Sequence, residues 1–78
     1  MDKMIASFQK NKFEEVRVQL KEFKGYDLLD IRVYTAPRES EENVPTGKGL
    51  SINVSHFNEL KNALLEAEHV LRENHLLE

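Results

Sequence analysis

A chain of 78 residues has room for one small domain spanning residues 1–78 and no second one. It has no cysteine, which excludes a disulfide framework and a thiolate metal site, and 40% hydrophobic with 32% charged residues excludes a disordered tail. The net charge of −3 speaks against a uniformly basic nucleic-acid binder, but the acidity is local: charges balance as far as Val54, and from Ser55 onward only Lys61 and Arg72 face Glu59, Glu66, Glu68, Glu73 and Glu78. A cationic face is compatible with that distribution, because only charges within a Debye length of ~8 Å matter strongly to one another. No apolar run is long enough to span a bilayer, and the opening MDKMIASFQKNKF lacks the apolar stretch and cleavage site of a secretory signal, so an intracellular protein without membrane contact is expected. A core this small has little margin, which makes self-association a reasonable expectation.

In chain order, MIASFQKNKF reads as a first strand. VRVQLKEF alternates, with Val16, Val18 and Leu20 on one side and Arg17, Gln19, Lys21 and Phe23 on the other, which is the period of a half-buried strand. Lys24-Gly25 predicts a two-residue turn in which the glycine supplies positive φ. YDLLDIRVYT resumes the alternation, setting Leu29, Ile31 and Val33 against Asp30, Arg32 and Tyr34. The two strands should pair as a hairpin with Phe23 and Tyr26 as cross-strand neighbours. APRESEENVPTGKG, with two prolines, two glycines and the acids Glu39, Glu41 and Glu42, predicts a long, mobile, solvated loop before a short strand GLSINV. That gives three or four strands, over about residues 5–54, in one antiparallel sheet.

From Ser55, expected as the N-cap, the period becomes helical to about residue 75. Phe57, Leu60, Leu64, Ala67 and Leu71 form a stripe predicted to face a core. Ala63, Val70 and Leu77, seven apart, make a second apolar edge, and with Leu71 they are the expected contacts between two copies in a homodimer.

Few residues offer catalytic or metal chemistry. His56, His69 and His75 are not spaced to stack ligands on one helical face, so no metal is expected. TGKG lacks the glycine spacing and Lys-Ser/Thr ending of a phosphate loop and leads into a strand. Glu14 with Glu15, and Asp27 with Asp30, are better read as charged strand faces than as catalytic carboxylates. No nucleophile has an evident base, so neither an enzyme nor a cofactor is predicted. What remains is one sheet face carrying Arg17, Gln19, Lys21 and Phe23 beside Arg32 and Tyr34. Cations that hold phosphates and rings that stack bases are what a single-strand binder requires; an ordinary solubilising surface is the competing explanation.

Taken together, VRVQLKEFKGYDLLDIRVY, PTGKGLSINV and SHFNELKNAL resemble the single-stranded-DNA-binding domain of the transcriptional coactivator positive cofactor four family, over Glu15 to Leu71. The FKG turn, the DIRVY strand and the KGLS strand carry the resemblance. It implies an α+β fold: a curved four-stranded antiparallel sheet followed by one C-terminal helix, homodimeric, with paired channels for single strands. The DNA contacts it implies are Lys21, Phe23, Lys24, Arg32 and Lys48, with Phe23 stacking a base and the cations holding phosphates. With Arg17, Tyr26 and Tyr34 added from the face itself, these are the candidate nucleic-acid residues. Thr35 stands where some members carry an aromatic, Tyr26 replaces a basic residue, and Val44 and Gly47 replace basic loop positions. Tyr26 and Tyr34 are the candidates for the missing ring, and fewer cations imply weaker binding or a shallower salt dependence. Without a Ser-rich N-terminal region, the chain is more similar to the compact bacterial members. The expected partners are single-stranded DNA, a second copy and the transcription machinery, with replication or repair as further settings and RNA also open as a ligand. The expected location is the cytoplasm and nucleoid of a bacterium, or a eukaryotic nucleus. The rival reading is a small dimerisation module whose acidic helix and loop bind a protein.

Overall fold

The computed structural model describes residues 1–37 and 41–78. Four strands, β1 (Lys3–Gln9), β2 (Glu14–Phe23), β3 (Tyr26–Thr35) and β4 (Val44–Asn53), form one antiparallel sheet in the order β1-β2-β3-β4, and a single helix, α1 (Phe57–Glu73), follows. The alternation in β2 and β3 is realised as expected. Val16, Val18 and Leu20 pair with Val33, Ile31 and Leu29 on one face, while Arg17 and Gln19 pair with Arg32 and Asp30 on the other.

Several expectations need correction. β1 ends at Gln9, and Lys10 to Phe13 form a turn. Asn11 makes that turn: its Oδ1 accepts from the N–H groups of Phe13 and Glu14, offering the backbone an alternative to the ladder. The predicted loop is shorter than its composition suggested, because β4 already begins at Val44. Pro45 and two glycines are tolerated there because β4 is an edge strand and bulges. Arg32 pairs with Gly49 and Tyr34 with Pro45, so Thr46, Gly47 and Lys48 all face the single residue Val33. Thr46 closes the bulge by donating its hydroxyl to the Val33 carbonyl at 2.8 Å and accepting from the Lys48 N–H at 3.1 Å. Glu41 and Glu42 are exposed, whereas Glu39 lies outside the described residues. Ser55 is not the cap. A single 3-10 turn (Val54–His56) precedes the helix, and Asn53 Oδ1 accepts from the Ser55 N–H at 2.9 Å. At the other end the helix stops at Glu73, so Leu77 lies beyond it. His75 takes the left-handed conformation (φ 57°), with His75 N–H bonded to the Arg72 carbonyl and Leu76 N–H to the Leu71 carbonyl, the paired bonds of a Schellman ending.

The largest departure concerns burial. Leu29, Val33 and Tyr34 are the buried apolar residues, and nothing on α1 is buried: Leu64 is 59% exposed, and the Phe57-Leu60-Leu64 stripe faces the sheet across an open apolar cavity of about 430 Å³ lined also by Ile5, Val18 and Ile31. A compact monomer of 9.1 kDa should expose about 4,900 Å². This chain exposes 6437 Å². Its radius of gyration is 14.8 Å, against about 11.5 Å for a compact 78-residue domain. Sequence periodicity located the apolar faces, but a single copy does not close them.

Candidate nucleic-acid interface

The face opposite the cavity is polar and unexpectedly well ordered. Antiparallel register sets Arg17 directly across from Arg32, an arrangement that repels unless the charges are answered. Both are answered by acids on the same face. Asp30, only 3% exposed, accepts from Arg32 Nε at 3.2 and 3.3 Å and from the second guanidinium nitrogen at 3.0 Å, while the remaining nitrogen donates to the Thr46 carbonyl at 3.0 Å. Arg17 donates from Nε to Glu15 at 2.8 Å and lays its guanidinium 4.3 Å from the centre of the Tyr34 ring. The Tyr34 hydroxyl accepts from Gln19 at 2.8 Å and from Lys21 Nζ at 3.5 Å, and Lys21 also stands 4.0 Å from Asp30. The middle of the face is thus one connected network in which three cations are held in place.

At the hairpin end the two rings stand free. Phe23 pairs with Tyr26 across the turn, both about three-fifths exposed. Lys24 (φ 52°) and Gly25 (φ 82°) both take positive φ, as a type I′ turn requires at its two central positions. The lysine therefore shares the strained conformation that the sequence assigned to glycine alone. Its ammonium comes to 5.3 Å from the Phe23 ring centre. Lys48 lies near the opposite end, where its ammonium is 3.4 Å from Glu14, itself 3.6 Å from Lys10. Glu14 is held below the usual carboxylate value, first by the Asn11 amide and then by Lys48 and Lys10, with partial burial opposing. Glu15 is lowered first by its bond from Asn43 and next by Arg17.

The candidate residues thus fall into three groups rather than one cluster. Phe23, Lys24 and Tyr26 form the tip, Arg17, Lys21, Arg32 and Tyr34 the middle, and Lys48 the far end. β2 alone, with 10 residues, covers about 30 Å. Tyr34 is 6% exposed, with Arg17 over its ring, so of the two candidates for a free ring only Tyr26 is open. Sequence reasoning missed the part played by Asp30, Glu14, Glu15 and Thr46. Strand parity places Asp30 and Glu15 among the cations, and that signal was available. Thr46 could not have been found without the bulge. Among the described residues no group of three or more histidines or acids is arranged to hold a metal.

Residues 10–63 match the family described as Transcriptional Coactivator p15 (PC4). The chain belongs to this family. Solved PC4 homologues have the same fold. One from Burkholderia pseudomallei K96243 shares 28% identity with a TM-score of 0.76, over 87% of this chain and 98% of its own. A bacteriophage T5 homologue of the eukaryotic coactivator, described as implicated in recombination-dependent DNA replication, shares 26% at a TM-score of 0.73, over 97% of this chain and 83% of its own. MoSub1, solved in complex with DNA, shares 22% at a TM-score of 0.63, over 88% and 83%, and shows the fold alone. No helix among the described residues is long and apolar enough to cross a membrane.

Proposed function

We propose that two copies of this PC4-family chain associate and bind single-stranded DNA, largely without regard to sequence, along the polar face of each sheet, in a binding rather than catalytic role. The observation that carries the reading is the array on that face: an exposed Phe23-Tyr26 ring pair with Lys24 at the tip, then Arg17, Lys21 and Arg32 fixed by Asp30, Glu15 and Tyr34. A fixed cation loses less side-chain entropy when it meets a phosphate, and an exposed ring offers a face to any base. The homodimer is supported by the exposed area. The excess of about 1,500 Å² over a compact monomer falls within each partner's share in an obligate dimer, whose interface buries about 2,000–5,000 Å² in total. Transcriptional coactivation accords with the family description and a role in replication with that of the T5 homologue, in whichever compartment holds the DNA.

Oligothymidine affinity measured across salt concentrations tests the interface. Phe23→Ala should weaken binding by about 1–3 kcal/mol with an unchanged salt slope, since a ring releases no counterion, while Lys24→Ala should flatten the slope by about 0.7. Lys24 is a better probe than Arg32, whose removal would also disturb Asp30 and Thr46. Oligouridine and duplex competitors rank RNA and paired DNA. Wild-type binding by both variants would move the site off this face, and absence of oligothymidine binding by the wild-type chain would favour a protein partner instead.

A further inference from the structure

The turn between β1 and β2 presents a second ring that the candidate site does not include. Phe13 is 74% exposed, the most of any phenylalanine in the chain. Its backbone is nonetheless firmly held. Its N–H donates to Asn11 Oδ1 at 2.9 Å, its carbonyl accepts from the Thr35 hydroxyl at 3.0 Å, and the N–H groups of Lys10 and Asn11 both reach the Glu14 carbonyl, at 2.9 and 3.3 Å. A phenylalanine on a mobile loop would need no explanation; one anchored from both sides and turned into water does.

Its surroundings repeat the hairpin tip. Lys12 stands 5.7 Å from the Phe13 ring centre, as Lys24 stands 5.3 Å from Phe23, and Lys10 and Lys48 converge on Glu14, the next residue in the chain. Two ammonium groups meet Glu14 and a third lies over the ring, while the neighbouring Glu15 is already answered by Arg17, so cations outnumber the unanswered acids beside Phe13. A dimer interface is a poor alternative for this ring, because interface cores are depleted of charge and covering Phe13 would desolvate the ammonium lying over it. Phe13 immediately precedes β2 and Phe23 closes it, so the two ring-and-lysine groups sit about 33 Å apart at either end of one strand, with Arg17 and Lys21 between them.

We propose that Phe13 is a second base-stacking platform, flanked by Lys10, Lys12 and Lys48, so that a single strand lying along β2 is stacked at both ends of the sheet. This rests on the nucleic-acid reading above and extends its footprint. The chain has no tryptophan, so Phe13→Trp carries a fluorophore found nowhere else in it. Titration of that variant with a 20-nucleotide oligothymidine, followed at once by tryptophan emission and by anisotropy of a labelled strand, should show emission quenched in step with binding, at near wild-type affinity. Phe13→Ala and Phe13→Leu should each weaken binding about five- to 140-fold without changing the salt slope, with wild-type circular dichroism and sedimentation. Unquenched emission while anisotropy reports saturation would place Phe13 outside the footprint and overturn the proposal, leaving the Phe23 face intact. A shift in sedimentation for Phe13→Ala would make the ring a dimer contact and equally overturn it. Absence of binding by the wild-type chain would remove the parent reading, and this one with it.

Discussion

Asp30 is a buried carboxylate in the middle of a face proposed to bind a polyanion, and its removal should show what it holds together. Asp30→Asn keeps the shape and one acceptor oxygen, so no cavity opens, but it withdraws the charge that answers Arg32 and Lys21. Breaking a fully buried ion pair by removing one partner costs about 3–5 kcal/mol. Here Asp30 is nearly sealed, while the side chains of Arg32 and Lys21 are 20% and 36% exposed, so water takes back part of that cost. A loss of about 1–3 kcal/mol is expected.

A double-mutant cycle isolates the pair. Arg32→Gln alone leaves Asp30 short of a cation, whereas Asp30→Asn with Arg32→Gln leaves neither charge stranded, so the double variant should be more stable than the sum of the single losses by about 0.5–3 kcal/mol. Urea unfolding followed by circular dichroism, at one fixed protein concentration because association adds to apparent stability, measures all four corners. Losses that add to within about 0.3 kcal/mol would mean that the three close nitrogen-oxygen contacts carry no net energy, and that Arg32 is held by Thr46 and the strand alone.

Gly49→Ala should destabilise the fold by about 2–4 kcal/mol in the same unfolding assay, because its φ of 146° is strained for any side chain and a Cβ there would stand 2.4 Å from the Ile31 carbonyl oxygen and 2.7 Å from Arg32 Cα. Leu64→Ala, on a helix that a single copy leaves exposed, should raise the dimer dissociation constant by sedimentation equilibrium, and a micromolar monomer in the wild type would refute the dimer itself. Glu15, lowered by Asn43 and Arg17, contributes stability that is complete above its ordinary value of 4.5 and lost as pH falls through its lower folded value. Glu15→Gln should therefore lower the thermal midpoint near neutrality and reduce its dependence on pH below about 4.5, and unchanged acid dependence would show that Glu15 contributes nothing.

Much of this architecture was legible because period two and period 3.6 are written directly in the residue types. Val16, Val18 and Leu20 had to share a face, as did Arg17, Gln19 and Lys21, and Lys24-Gly25 had to turn. The misreadings of the loop and of the cap share a physical cause: both depended on how backbone groups are satisfied locally. Composition made VPTGK a loop, yet Thr46 bonds both sides of a bulge and keeps it in the sheet. Ser55 was a plausible cap, but Asn53 reached the free N–H first.

The apolar pattern was read correctly and its consequence was not. A helix stripe predicts an apolar partner, and the expectation was this chain's own core; instead Phe57 and Leu64 border an open cavity. The opposite, polar face closes unaided, since Asp30 and Tyr34 are the most buried residues among those described. A domain whose polar face is finished within one chain while its apolar face is not places its unfinished apolar surface and the face proposed to bind DNA on opposite sides of the sheet. Leu64→Ala should then affect association while sparing the local geometry of the binding face, and Phe23→Ala should do the reverse. A variant at either position that impaired both to the same degree would show the two faces to be coupled through the sheet.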